Sequence, residues 1–185
     1  MYCDLRSAIS GDAINKKPFA VLKALPSASD TGLGSRLPWS PISTTTVVTA
    51  LRADRGLWGT WRSRGIAPAE LPASWFRPAS GAPRYYRTST ILAWLAARRG
   101  EAFDATEATR SWLLANFDAL AVRLEWTDPE HQAECRERIA ETSEWTIRYL
   151  VTEWARVDGP LAFRKDGIRF TDAGWRAYLD LLQYS

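Results

Sequence analysis

The apolar residues of one segment, residues 43–100, fall into three short runs at helical spacing. The runs lie at 47–51, 57–61 and 91–95, and each is followed within a few residues by a glycine, which ends a helix easily. Helices this short are marginal in isolation, so their apolar faces must pack against one another. The segment therefore predicts a small unit of short helices rather than one long helix.

The ends of these helices are also predicted from the sequence. Thr44, Thr45 or Thr46 is suited to cap the first helix. Asp54-Arg55-Gly56 is predicted to end that helix before the second one begins. Gly65 suits the left-handed position that closes the second helix. Thr88 is the predicted N-cap of the third helix, and Arg98-Arg99-Gly100 ends it, with cations at the negative end of the helix dipole.

Two β-compatible segments, residues 75–77 and 84–87, stand between the second and third helices. A loop rich in Pro, Gly and Ala joins them, which predicts a hairpin with a loop longer than a tight turn. The order helix, turn, helix, hairpin, helix within residues 44–100 is that of a winged helix-turn-helix. Residues 1–43 are poorly periodic and are predicted to form an arm or strap.

The remaining residues, 101–185, are predicted to form an acidic helical domain for oligomerisation or partner binding. One helix is predicted over 104–125, a longer one from Pro129 to about Val157, and a last one after Thr171. A β-hairpin is predicted near 161–170, because an Asp-Gly pair lies between two apolar segments. The fold class predicted for the whole chain is mainly α with short β-hairpins.

Charge is distributed unevenly along the chain, although the net charge is only +3. Residues 36–99 carry ten arginines against two acidic residues, a net charge of +8. Residues 100–185 carry ten basic and sixteen acidic residues, a net charge of −6. Such an asymmetry is expected when one part of a protein meets a polyanion and another part does not. A GC-rich genome is the alternative explanation for the excess of 20 Arg over 4 Lys.

The segment from about residue 44 to residue 100 resembles the excisionase and AlpA branch of the MerR-type winged-helix DNA-binding family. The match consists of the helix pair, the residues after it, the end of the wing and the closing helix: Val48–Leu51, Leu57–Trp61, Arg62-Ser63-Arg64-Gly65-Ile66 with Pro68, Tyr85-Tyr86-Arg87 and Ile91-Leu92-Ala93-Trp94-Leu95. The resemblance covers about 30% of the chain. It implies a winged helix-turn-helix and a role as a transcription regulator or a recombination directionality factor.

The candidate DNA-binding residues are predicted from the chemistry of groove recognition. Arginine can bond a guanine edge through two nitrogens, and phosphate contacts position a protein without reading sequence. The residues assigned to the reading helix are Arg55, Thr60, Arg62 and Arg64. The residues assigned to phosphates or the minor groove are Arg52 before that helix and Arg77, Arg84 and Arg87 on the wing. The alternative is that these arginines form a solvated face.

The tryptophans and the few Cys and His residues favour structural roles. Trp58, Trp61 and Trp94 could stack on single-stranded bases, but their helical spacing favours a core. With two Cys and one His, no zinc cluster of four soft ligands can be assembled, and no nucleophile has a recognisable partner. We therefore expect no catalytic site, no metal and no cofactor. No signal peptide or membrane span is evident, so we expect a cytoplasmic protein.

The sequence thus predicts a sequence-specific double-stranded DNA-binding protein, a transcription regulator of a mobile element or phage. A recombination directionality factor and a terminase-like DNA-recognition subunit are alternatives of the same class. An adaptor that uses the winged helix to bind protein is the alternative of another class. A homodimer is expected because DNA half-sites are usually read by dimers, and the acidic domain is a candidate surface for a protein partner. The operator, the partner and the choice between activation and repression stay open.

Overall fold

The computed structural model of the chain describes residues 25–78, 83–141, 144–160, 163 and 167–184. Within these residues the chain forms eight α-helices and one two-stranded antiparallel sheet, so the predicted mainly α class is confirmed. The first 24 residues of the predicted arm lie outside the described residues. The turn of the hairpin predicted near 161–170 lies outside them too.

The first half of the chain contains a short sheet and three helices. In chain order they are β1 (Pro41–Ser43), α1 (Thr44–Ala50), α2 (Arg55–Ser63), β2 (Tyr85–Arg87) and α3 (Thr88–Arg99). Single turns of 3-10 helix precede β1 and β2. Those turns are Ser29–Thr31, Leu33–Ser35 and Ala73–Trp75.

Side-chain caps set where the first two helices begin. Ser43, rather than a threonine, caps α1: its hydroxyl accepts the N–H of Thr46 at 3.1 Å. Asp54 caps α2, because its Oδ1 accepts the N–H groups of Gly56 and Leu57 at 2.7 and 3.1 Å. The predicted break at Asp54 is therefore the start of the second helix. The predicted glycine ends are confirmed, since Gly65 and Gly100 adopt positive φ values of 65° and 72°.

The predicted wing hairpin between residues 75–77 and 84–87 is wrong. β2 pairs with β1 instead, in antiparallel register with Pro41 opposite Arg87 and Ser43 opposite Tyr85. The predicted partner, Phe76, forms an isolated antiparallel bridge with Phe170 of the second half. The physical reason is that a two-stranded hairpin by itself buries too little apolar surface to be stable. Each of the two short segments therefore pairs with a different part of the chain, where its side chains pack against a core.

The second half of the chain contains five helices. They are α4 (Ala105–Ala115), α5 (Phe117–Arg123), α6 (Pro129–Glu141), α7 (Glu144–Asp158) and α8 (Asp172–Tyr184). The single helix predicted over 104–125 is thus two helices, and the one predicted from Pro129 to about Val157 is described as α6 and α7, on either side of residues 142–143, which lie outside the described residues.

Local polar contacts explain two of the boundaries in the second half. At the first split, the amide of Asn116 donates to the carbonyl of Trp112 at 2.8 Å, and such side-chain bonds compete with helix continuation. The predicted cap of the last helix is correct, because Thr171 Oγ1 accepts the N–H of Gly174 at 2.9 Å.

Two apolar cores hold these helices. The first contains α1, α2 and α3 together with Leu25, Leu33 and Ile42, so the chain before α1 is part of that core. The second contains side chains of α4–α8 and also receives Leu37, Trp39, Phe76 and Tyr85 from the first half. The two halves are therefore joined by shared packing rather than by a linker alone.

Hydrogen bonds fix the junction between the halves. Tyr178 donates its hydroxyl to the carbonyl of Trp39 at 2.6 Å, and the indole of Trp39 donates to Thr109 at 2.8 Å. The bridge at Phe76 adds two backbone bonds, from Arg77 N–H and from Thr171 N–H, at 2.8 and 2.9 Å. Burial raises the pKa of Tyr178 well above its usual range, which keeps its hydroxyl available as a donor.

Candidate nucleic-acid interface

Helix α2 presents an apolar side to the protein and a basic side to solvent. Trp58 and Trp61 are 1% and 0% exposed, and their rings meet edge to face at 5.9 Å. Arg55, at the first position of the helix, is exposed, and its Nη2 donates to the hydroxyl of Thr45 on α1 at 3.3 Å. The helix is held by its tryptophans, so the arginines are not needed for packing.

Arg52 lies in the turn between α1 and α2 with an unusual backbone conformation. Its φ is 51°, in the left-handed region that costs an L-residue roughly 1–2 kcal/mol. The turn is closed by hydrogen bonds from Arg52 N–H to Thr49 O at 3.1 Å and from Ala53 N–H to Val48 O at 3.0 Å. Arg52 is exposed at this turn, so its side chain is accessible at the surface just before α2.

Glu70 organises the other basic side chains of this surface. Its carboxylate accepts hydrogen bonds from Arg62, from Arg84 at 2.7 Å and from the hydroxyl of Tyr86 at 3.2 Å. Trp58 in turn donates to that hydroxyl at 3.2 Å, so the network reaches the core. Burial acts to raise the pKa of Glu70, but the hydrogen bonds from the two arginines outweigh it and lower the pKa.

The predicted DNA-binding residues on and beside α2 differ in how exposed their side chains are and in whether they have a hydrogen-bond partner. Arg64, which caps the end of α2, is exposed and has no side-chain partner in the described part of the chain. Arg62 and Arg84 are held by Glu70, with 27% and 53% of their side chains exposed. Thr60 is half-buried, and its hydroxyl donates a hydrogen bond to Gly56 O at 3.0 Å. The hydroxyl oxygen can therefore act toward a ligand only as an acceptor.

Two of the predicted wing residues lie elsewhere. Arg77 is at the junction with the second half, where its Nε donates to Phe170 O at 3.2 Å. Arg87 points inward: its guanidinium carbon lies 5.0 Å from the ring centre of Trp39, and its Nε is buried without a hydrogen-bond partner in the described chain. Burial lowers the pKa of Arg87. Both residues were assigned to a hairpin that does not form, so neither is presented as a wing cation.

Sequence reasoning missed Glu70 and Trp39. Glu70 is one of only two acids in the basic segment, and that rarity was a signal that it had a specific partner. Trp39 lies below both Arg87 and Arg148, whose guanidinium carbons are 5.0 and 4.9 Å from its ring centre. No spacing rule predicts that contact, because its members come from β2, α7 and the chain before β1.

The possible reactive groups of the second half are arranged for packing. Cys135 Sγ lies 3.5 Å from Nε2 of His131, and the ring of His131 meets Trp126 edge to face at 5.5 Å. Burial, with a contribution from Glu134, raises the pKa of the Cys135 thiol, the opposite of what a thiolate nucleophile needs. Among the described residues no three His, Cys, Asp or Glu side chains form a metal-binding group.

A membrane-spanning helix is also not found in the described ranges, where every helix is too short or too polar to cross a bilayer.

Comparisons with known proteins found no relationship. No protein-family model matches the chain, and neither the curated proteins nor the solved structures contain a significant match.

Proposed function

We propose that this chain is a sequence-specific double-stranded DNA-binding protein, acting as a transcription regulator of a mobile element or phage. The observation that carries the proposal is the division of α2: Trp58 and Trp61 are buried, while Arg55 and Arg64 at its two ends are exposed. A recognition helix needs this division, since packing holds the helix while arginines reach bases and phosphates. Arg52, in the turn before α2, adds a further cation.

The charge balance around α2 supports the same proposal. The arginines around α2 outnumber the two acids of the basic segment, Asp54 and Glu70; they are Arg52, Arg55, Arg62, Arg64 and Arg84. A duplex phosphate approaching this surface therefore meets a net positive field, which raises the rate of association and the affinity.

The winged helix-turn-helix is proposed in a modified form. The sheet that precedes α3 is made by β1 and β2, and residues 83–84 lead into it. In this arrangement Arg84 lies immediately before β2 and is bonded to Glu70, which also holds Arg62. It therefore belongs to what we call the reading surface, which consists of Arg52, Arg55, Arg62, Arg64 and Arg84. Arg84 is therefore proposed to contact the phosphate backbone of the DNA, and Arg62 and Arg64 are proposed to contact its bases.

The decisive experiment selects a binding sequence from random duplexes and then measures affinity by fluorescence anisotropy over a range of salt. Arg64→Ala is expected to weaken the selected duplex about tenfold, as expected for loss of a base contact, and a random duplex less. Arg84→Ala is expected to weaken both and to reduce the salt slope by about one. Arg138→Ala, an exposed arginine paired with Glu134 on α6, is the matched control and should change neither.

Binding that is absent or independent of salt would contradict the proposal and favour the protein adaptor. Equal losses for Arg64→Ala and Arg84→Ala on both duplexes would contradict the division of roles between them.

We also propose that the second half forms a homodimer. The large hydrophobic side chains that are exposed in the described chain, Val122, Tyr149 and Val157, all lie on α5 and α7. An ion pair of 2.8 Å between Arg123 and Asp158 joins the ends of these helices next to the two valines. Light scattering should give twice the chain mass for the wild type and the chain mass for Val157→Asp. A monomeric wild type with and without DNA would contradict the dimer.

A further inference from the structure

A cleft of about 510 Å³ opens where the two halves of the chain meet, and none of its described lining residues belongs to α2. Its basic walls are Arg77 from the first half and Arg169 and Arg176 from the second. Its half-buried apolar side chain is Trp175, while Ile168 and Phe170 line it from the core, where they are 0% and 5% exposed. Volumes of this size are typical of sites for small ligands.

Strand register places two of the arginines directly opposite each other. Phe76 pairs with Phe170 in an antiparallel bridge, and Arg77 N–H donates to Arg169 O at 2.8 Å. The side chains of Arg77 and Arg169 are therefore cross-strand neighbours on the face opposite the two phenylalanines. Like charges in this position are destabilising, so the pair favours an anion between them.

The hydrogen bonds that Arg77 and Arg176 make in the structure use only the Nε of each, which leaves their terminal guanidinium nitrogens for a ligand. Arg77 Nε donates to Phe170 O at 3.2 Å, and Arg176 Nε is 3.4 Å from Asp172 O. Among the described lining residues the one acid is Asp172, which is exposed and lies 4.0 Å from Arg77 Nη2. The three arginines and this one carboxylate give the described lining a net charge of +2, which is complementary to a dianion.

The positive charge of the cleft comes from side chains rather than from the start of α8. The N–H of Gly174 in the first turn is already bonded to Thr171 Oγ1. Beside the arginines, the indole of Trp175 is half-buried and packs against Phe170 at 5.3 Å and Tyr178 at 5.7 Å. Its position is therefore set by the core, so the Trp175 side chain would lose little additional conformational freedom when a planar ring stacks on it.

From this arrangement we propose that the cleft binds a phosphate monoester carried on a planar ring, the chemistry of a nucleoside monophosphate. The phosphate is bound by Arg77, Arg169 and Arg176, and the ring packs on Trp175. Because the arginines belong to both halves of the chain, the ligand stabilises the junction between them. The proposal does not depend on DNA binding by α2.

The test is calorimetric titration of the full chain with adenosine monophosphate, inorganic phosphate and adenosine. We expect adenosine monophosphate to bind more tightly than either part. Arg169→Gln is expected to weaken it about tenfold, the loss typical of one charged hydrogen bond. Trp175→Leu is expected to weaken adenosine monophosphate but not inorganic phosphate. Arg138→Gln is the control for the loss of one exposed arginine, and urea unfolding of each variant shows whether it is folded.

Several outcomes would overturn the proposal. They are no binding of adenosine monophosphate at millimolar concentration, equal binding of phosphate and adenosine monophosphate, and equal loss in Arg138→Gln. A fourth is loss of duplex affinity in Arg169→Gln without nucleotide binding, which would make the cleft a DNA contact. Failure here is distinguishable from failure of the proposed function, because Arg64→Ala tests the reading surface and leaves the cleft intact.

Discussion

The hydroxyl of Tyr178 on the last helix donates to the carbonyl of Trp39, which is 139 residues earlier in the chain, at 2.6 Å. Both residues are buried, and Trp39 in turn donates to Thr109 at 2.8 Å. This chain of bonds runs through the junction of the two halves, so buried hydrogen bonds join them in addition to shared apolar packing.

Removing that hydroxyl should destabilise the whole chain. Tyr178→Phe leaves the carbonyl of Trp39 without its donor, at a cost of about 1–3 kcal/mol in the free energy of unfolding. Urea unfolding followed by circular dichroism measures the loss. Tyr85→Phe, at a buried tyrosine whose hydroxyl has no hydrogen-bond partner in the described part of the chain, is the matched control and should stay within about 0.5 kcal/mol of the wild type. A loss no larger than that of the control would show that the bond contributes nothing.

The two glycines at 59 and 174 should respond in opposite directions to alanine. A Cβ at Gly174 would lie 2.0 Å from the carbonyl oxygen of Trp75, so α8 must move away from that turn, and overpacking costs about 1–3 kcal/mol or more. A Cβ at Gly59, within α2, meets nothing within 4 Å, so Gly59→Ala should stabilise by about 0.5–1 kcal/mol. Thermal unfolding of both variants checks this. A tolerated Gly174→Ala would contradict the close approach of α8 to Trp75.

Stability should fall on acidification in part through Glu70. Its hydrogen bonds from Arg84 and Arg62 lower its pKa in the folded chain below the ordinary value of 4.5. The folded state therefore binds this proton less readily than the unfolded state. The stabilisation is complete above that ordinary value and is lost as the pH falls through the lowered pKa.

Glu70→Gln removes that titration. The variant should be less stable than the wild type at neutral pH, and its free energy of unfolding should decline less steeply between neutral pH and the acid range. Urea unfolding at a series of pH values measures both slopes. Parallel curves for the two proteins would show that Glu70 does not contribute.

Single-stranded DNA should be a poor ligand. Stacking on bases needs open aromatic faces, but Trp58 and Trp61 are buried, and Trp94 is anchored by a hydrogen bond from its indole to Ile66 O at 2.7 Å. We expect an oligothymidine to bind at least about tenfold more weakly than the selected duplex. Competition in the anisotropy assay measures the ratio. Equal affinity for the two would contradict duplex reading by α2.

Helix positions were predicted well where the signal is local. The apolar spacing around Trp58 and Trp61 predicts a buried helix face, and Gly65 and Gly100 end their helices with positive φ. The predicted break between the first two helices is confirmed, since α1 ends at Ala50 and Asp54 caps α2, which begins at Arg55. Asn116 splits a predicted long helix through a side-chain bond of its own.

Strand pairing was predicted less well, and so was the placement of two candidate site residues that depended on it. Tyr85–Arg87 has the composition of a strand, but composition does not name a partner, and the partner is Pro41–Ser43. Arg77 and Arg87 were assigned to a wing on the strength of that missing pairing. The two residues instead lie at the junction and against Trp39.

The sequence by itself determined the mainly helical class, the burial of the tryptophans on α2 and the concentration of positive charge before Gly100. Spacing, capping and charge are properties of neighbouring residues, so they can be read along the chain. Only the tertiary structure decided that β1 pairs with β2, that Glu70 holds two of the candidate arginines, and that Arg77 meets Arg169 in a cleft. Those contacts join residues far apart in the chain, and which distant surfaces meet depends on the packing of all the helices together.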